Sequence, residues 1–145
     1  MEPESYAPDA AGLRSILKDA HTIAVVGLSP RPERPSYGVT VYMQEHGYRI
    51  VPVNPNETEI VGEIAYPSLL DVPKDVHIDI VDVFRRPGFT PQIARDAVQV
   101  GAKVLWLQEG IVSDEARQIA EDAGLAVIMG VCIRVAHRLT VEGED

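Results

Sequence analysis

Five apolar runs punctuate the chain: "HTIAVVGL", "YRIVPVNP", "VHIDIVDVF", "AKVLWLQ" and "LAVIM". The first is nearly continuous and ends in Gly27. A strand with one wet face alternates apolar and polar residues, so a run without alternation points to a strand covered on both faces. Helical patterns lie between the runs. Asp9 to Ala20 carries a stripe of Leu13, Ile16 and Leu17, with Asp9 as a cap. Tyr37 to His46 reads as a helix with Val41 and Tyr42 facing in and Gly47 as its stop. Pro91 to Val100, Ser113 to Ala123 and Val131 to Leu139 complete the set. Ser113 or Asp114 caps the fourth of these, and Gly124 ends it. Residues 56–74 are the least regular, with room for a short edge strand and one helical turn. Pro52 predicts an irregular or exposed backbone site in the second run, and "TVEGED" is expected to fray. Strands alternating with helices across short loops predict an α/β fold. It is a doubly wound, mostly parallel, five- or six-stranded Rossmann-like sheet with helices on both faces.

Length and charge narrow the function. The 145 residues suit one domain with a core of about 21–139. No run reaches the roughly 18 apolar residues of a membrane span. "MEPESYAPDAAG" is acidic and lacks the apolar segment of a secretory leader, so the expected location is the cytoplasm. A net charge of −9 argues against broad binding to nucleic acid or anionic membrane. Cys132 is the only cysteine, which excludes an intrachain disulfide and a cysteine metal cluster. His21, His46 and His77 show no clustering, and His137 reads as structural or exposed. An exposed edge strand would suit a homodimer or an unknown protein partner.

In open parallel sheets, ligands bind beyond the carboxyl ends of the strands, where strand order reverses. The residues leaving the strands are therefore the candidates. They are Gly27, Leu28, Ser29, Pro30, Arg31 and Arg34 after the first, and Asn54 and Pro55 after the second. Phe84, Arg85 and Arg86 follow the third, and Gln108, Glu109 and Gly110 the fourth. Gly130 and Cys132 follow the last. Four arginines of an acidic chain, Arg31, Arg34, Arg85 and Arg86, thus share one predicted rim. That pattern points to an anionic ligand. A dinucleotide fingerprint is incomplete: Ser29 and Pro32 replace its second and third glycines, and Asn54 stands where a ribose-binding acid belongs. No Gly-Lys-Ser/Thr of a phosphate-binding loop occurs.

At these residues a family becomes recognisable. "VVGLSPRPERPSYGV", "GYRIVPVNP", "GEIAYPSLLDVP", "DIVDVFRR", "GAKVLWLQEGI" and "AGLAVIMGVCIRVAHRL" resemble the small single-domain coenzyme A-binding proteins. Those in turn are similar to the N-terminal domain of the succinyl-CoA synthetase alpha subunit. The resemblance implies a ligand, coenzyme A or acyl-CoA, and a site. Residues Gly27 to Arg34 would hold its phosphates, with Ser29 and nearby main-chain N–H groups as donors. Asn54 and Pro55 would border the adenosine, Phe84 and Arg85 the opposite wall, and Gln108, Glu109 and Gly110 the pantetheine arm. One departure stands out. The family usually reads Asp/Asn-Arg-Cys and then Glu-His near its end, whereas this chain reads Gly130-Val131-Cys132 and Ala136-His137.

No nucleophile–base pair with an orienting third group can be assembled from the sequence. The reading is a coenzyme-binding protein without independent catalysis. The alternatives are an NAD(P)- or nucleotide-dependent enzyme, or a regulatory subunit that carries acyl-CoA. Cys132 reads either as a small buried hydrophobe or as a thiol contact for the coenzyme at a helix N-terminus.

Overall fold

The computed structural model describes residues 4–144. Helix α1 (Ala10–Asp19) starts where the Asp9 carboxylate accepts the Gly12 N–H at 2.9 Å. Then come β1 (Thr22–Val26), α2 (Pro35–Glu45), β2 (Arg49–Val53) and a small hairpin, β3 (Glu59–Ile60) and β4 (Glu63–Ile64). The rest is β5 (Ile80–Val83), α3 (Thr90–Gln99), β6 (Val104–Leu107), α4 (Asp114–Asp122), β7 (Ala126–Ile128) and α5 (Ile133–Thr140). Ser113 is the cap of α4, its Oγ accepting the Ala116 N–H at 3.1 Å.

Five strands form one parallel sheet in the order β2-β1-β5-β6-β7. The fold is doubly wound and Rossmann-like, and the hairpin β3-β4 pairs only with itself. Every residue of β1, β5 and β6 is buried. Alternate side chains feed two cores. Val26, Val83 and Leu107 pack with Ile93 and Ala97 of α3 and Ala116 and Ala120 of α4. Val25, Ile80 and Trp106 face Leu17 of α1, Val39 and Met43 of α2, and Ile133 and Ala136 of α5.

Several expectations need correction. Helix α2 starts at Pro35, a residue preorganised for a first turn, and buries Ser36, Val39, Thr40 and Met43. Those positions follow the i, i+3, i+4, i+7 series, which leaves Val41 and Tyr42 only partly buried. Pro52 is buried and regularly paired. Its carbonyl accepts the Tyr66 N–H at 3.0 Å across the outer edge of β2, so the N–H it lacks also belongs to that edge. Short main-chain contacts flank both outer strands among the described residues. The Asn54 N–H donates to the Tyr66 carbonyl beside β2, and Tyr6 and Met129 exchange two 2.8 Å main-chain bonds beside β7. As far as Glu142, the C-terminal segment is packed rather than frayed. Thr140 ends α5, Val141 packs on the core, and Glu142 Oε1 meets His46 Nε2 at 2.6 Å. Asp145 of that segment and Met1–Pro3 lie outside the described residues. His46 does cluster, its ring 5.1 Å from that of the buried His137. The His137 Nδ1 and the Tyr42 hydroxyl share a 3.0 Å hydrogen bond.

The sheet order reverses between β1 and β5, and there Gly27 is indispensable. Its φ is +86°, and a β-carbon would stand 2.6 Å from the Phe84 carbonyl oxygen and 2.9 Å from Arg85 Cδ. Gly27→Ala therefore combines left-handed strain with a backbone clash. Gly47, with φ +95° and nothing within 4 Å of its β-carbon position, would bear strain alone. In urea unfolding, Gly47→Ala is expected to cost about 1 kcal/mol and Gly27→Ala clearly more, about 2–4 kcal/mol. Equal losses would show that the approach to Phe84 does not matter.

Candidate functional site

Beyond the carboxyl ends of β1 and β5, three hollows meet. The first holds about 320 Å³ between Gly27, Ser29, Arg31, Arg34, Pro35, Ser36 and Phe84. The second, of about 210 Å³, lies between Gly27, Val53, Pro55, Pro67, Leu69, Arg85, Phe89 and Ile93. The third, of about 600 Å³, is bounded by Pro35, Val39, Phe84, Arg85, Arg86, Gln108, Glu109, Gly110, Ile111, Cys132 and Arg134. Gly27 is common to the first two, Arg85 to the last two, and Phe84 and Pro35 to the first and third. One interrupted groove thus runs along the switch point. The topology creates it, because α2 leaves β1 toward one face of the sheet and α3 leaves β5 toward the other.

The loop after β1 is held by its own hydroxyls. The Ser29 N–H donates to Ser36 Oγ at 3.0 Å, and the Arg31 N–H donates to Ser29 Oγ at 3.1 Å. The Ser29 N–H is therefore engaged within the loop. Each hydroxyl that accepts retains its own hydrogen to donate. Arg31 pairs with Glu33 at 2.8 Å, both more than half exposed, so the pair adds little to stability. The Arg85 guanidinium lies 4.1 Å from the centre of the Phe89 ring, a cation–π contact that sets it between the second and third hollows.

Some expected contacts do not form the walls of these hollows. Leu28 is fully buried in the core against α2 and α5. Its carbonyl accepts the Asn54 side-chain N–H at 2.9 Å, so Asn54 braces the loop from below. Pro30 is exposed and borders none of the three hollows. Gly130 is covered by the N-terminal segment: a β-carbon there would stand 2.1 Å from the Glu4 carbonyl oxygen.

Gln108 reaches the third hollow but is itself almost wholly buried. Its side-chain N–H donates to Asp82 Oδ1, and its Oε1 accepts the Ile133 N–H at 3.4 Å. It thereby ties β5 to the start of α5, beside Cys132, the N-cap residue of that helix. Burial pushes the Asp82 carboxyl up to about 7, against the lowering effect of the Gln108 and Val83 hydrogen bonds. Sequence reasoning missed Asp82, because it sits inside an apolar strand. It also missed Ser36, Phe89 and Arg134. Ser36 was detectable as a hydroxyl in the first turn of the helix after the loop. Arg134 was detectable as the first basic residue after the last strand.

Comparison with known proteins identifies the family. Residues 21–138 match the CoA binding domain family. The chain belongs to this family of CoA-binding domains. The uncharacterized protein YneT of Bacillus subtilis (strain 168) is 45% identical over 133 residues, 92% of this chain and 97% of YneT. A hypothetical protein from Pyrococcus horikoshii OT3 has the same architecture, with a TM-score of 0.88 at 37% identity, covering 97% of this chain and 99% of that one. Acetate–CoA ligase (ADP-forming) II of Archaeoglobus fulgidus is 29% identical over 102 residues, which are 69% of this chain and 15% of the ligase. In this CoA-binding domain, among the described residues, no helix is long and apolar enough to cross a membrane. No group of three His, Cys, Asp or Glu among them is placed to hold a metal ion.

The Asp82 carboxyl makes stability depend on pH in a defined direction. Its folded value of about 7 lies above the ordinary 3.8, so the folded state retains a proton that the unfolded state releases. Its contribution to stability is then greatest below about pH 4 and declines as pH rises toward 7. Asp82→Asn keeps an acceptor for Gln108 and removes the titration. The variant should gain stability relative to the parent between pH 4 and 7, by up to about 4 kcal/mol. Parallel stability–pH curves in chemical denaturation would refute the assignment.

Proposed function

We infer that the protein binds coenzyme A or an acyl-CoA along the switch-point groove, without catalysing a reaction of its own. One observation carries this reading. In a domain of the CoA-binding family, the hollow of Ser29, Arg31 and Arg34 adjoins the hollow of Arg85 and Cys132, with Pro35 and Phe84 common to both.

The chemistry of the three hollows suits the three parts of the coenzyme. The first combines two guanidinium groups with the hydroxyls of Ser29 and Ser36 at the start of α2, where the helix dipole favours negative charge. It takes the phosphates. The second sets the apolar Val53, Pro55, Pro67, Leu69, Phe89 and Ile93 beside the polar Ser68, Gln92 and Asp96, and takes the adenine. The third is large and partly apolar, with Val39, Phe84 and Ile111 in its walls, and takes the pantetheine arm past Gln108, Glu109 and Gly110. Cys132 borders the thiol end. A location in the cytoplasm, where coenzyme A is made and used, accords with this reading.

The absence of a catalytic group in the reading rests on the same residues. Glu109 is exposed and has no hydrogen-bonded partner among the described residues, and the buried Asp82 is covered by Gln108. Titration calorimetry with CoA, dephospho-CoA, NADP and NAD tests the binding. CoA should bind tightest, with dephospho-CoA weaker by about tenfold for the loss of one arginine-held phosphate. NAD binding more tightly than CoA would overturn the reading in favour of a nicotinamide-dependent enzyme.

A further inference from the structure

The third hollow carries more positive charge than a pantetheine arm requires. Arg85, Arg86 and Arg134 all border it, against the single carboxylate of Glu109. Pantetheine is neutral, and its amides need neutral partners. Arg85 is placed over Phe89, but no ion pair engages Arg86 or Arg134 among the described residues. Arg134 is the most telling of the three. Its Nε is buried without a hydrogen-bond partner. A buried donor of a charged group left unfilled is unfavourable, so an acceptor brought by a ligand would stabilise it. Arg134 also borders the same hollow as Cys132, at the thiol end of the groove. Its Nη1 lies 3.7 Å from where a side chain on Gly38 would begin, so the guanidinium leans toward α2 over a residue without bulk.

The coenzyme's own anions do not supply that acceptor in the arrangement described above, since its phosphates lie in the first hollow with Ser29, Arg31 and Arg34. We propose that the protein selects acyl thioesters whose acyl chain ends in a carboxylate, with Arg134 as the group that receives it and Arg86 as a second cation nearby. A guanidinium presents a planar pair of N–H donors that matches a carboxylate, and such charge-assisted bonds are strong where water is excluded. The inference rests on the reading that the coenzyme lies along the groove with its thiol toward Cys132.

Two pairs of ligands matched in chain length test it: malonyl-CoA against propionyl-CoA, and glutaryl-CoA against valeryl-CoA. In titration calorimetry at least one carboxylated member should bind about tenfold or more tighter than its neutral counterpart. Arg134→Gln should bring that ratio close to one. Arg134→Lys, which keeps the charge and loses the fork, should leave an intermediate ratio. Equal affinities within both pairs would overturn the proposal, and so would a ratio that Arg134→Gln leaves unchanged. If Arg134→Gln weakens all four ligands by one factor, and dephospho-CoA escapes that loss, Arg134 serves the coenzyme's phosphate and the proposal fails. CoA bound without any acyl preference removes this inference alone. No binding of CoA or of any thioester removes the broader reading as well. The wild-type comparison needs no variant, so a substitution that fails to fold does not spare the proposal.

Discussion

The approach of Gly27 to the main chain of Phe84 is the contact on which the site depends. β1 and β5 are parallel neighbours, and Phe84 donates its N–H to the Val26 carbonyl at 2.8 Å just beyond the last strand pair. The chain must then part in two directions, toward α2 on one face and α3 on the other. Only a residue without a side chain lets the two turns sit so close before they diverge. The amino ends of the same strands are pinned by a second device. Asp79 accepts the N–H groups of His21 and Thr22 at 2.8 and 3.0 Å. Burial opposes its ionisation, yet these bonds and Lys103 hold its carboxyl below the ordinary value. The central pair of strands is therefore fixed at both ends, and the groove inherits its shape.

Polar groups inside this sheet are few and connected. Asp82 lies in β5 between Val25 and Trp106 in the strand register, a position otherwise suited to an apolar side chain. Gln108 satisfies it and also reaches the Ile133 N–H, so one side chain links two strands with the helix that bears Cys132 and Arg134. Such a network positions the wall of the third hollow more firmly than apolar contacts alone, because each hydrogen bond prescribes a direction. On the same helix, His137 reaches Tyr42 of α2, and His46 reaches Glu142 beyond α5. The helix that closes the groove is thus held at both ends.

The electrostatics are local. A chain of net charge −9 concentrates Arg31, Arg34, Arg85, Arg86 and Arg134 around one rim. Long-range attraction for anions is therefore weak, and binding of the proposed phosphorylated ligand would fall to short-range hydrogen bonds. That arrangement favours a ligand with several anionic groups at defined spacing over a generally anionic surface such as nucleic acid.

The order of strands and helices, the caps at Asp9 and Ser113, and the glycine stops at Gly47 and Gly124 were legible in the sequence. So was the collection of arginines beyond the strand ends. These features act over a few residues, where periodicity and capping leave a local trace. The Arg85 guanidinium on Phe89, Gln108 on Asp82 and His46 against His137 left no such trace. The last two join residues 26 and 91 positions apart, and only the sheet order brings them together. The sequence by itself thus determined which elements form and which residues can stand at the rim. Tertiary structure alone decided which of them face a shared groove, because side-chain direction at a strand end depends on the neighbours that packing supplies.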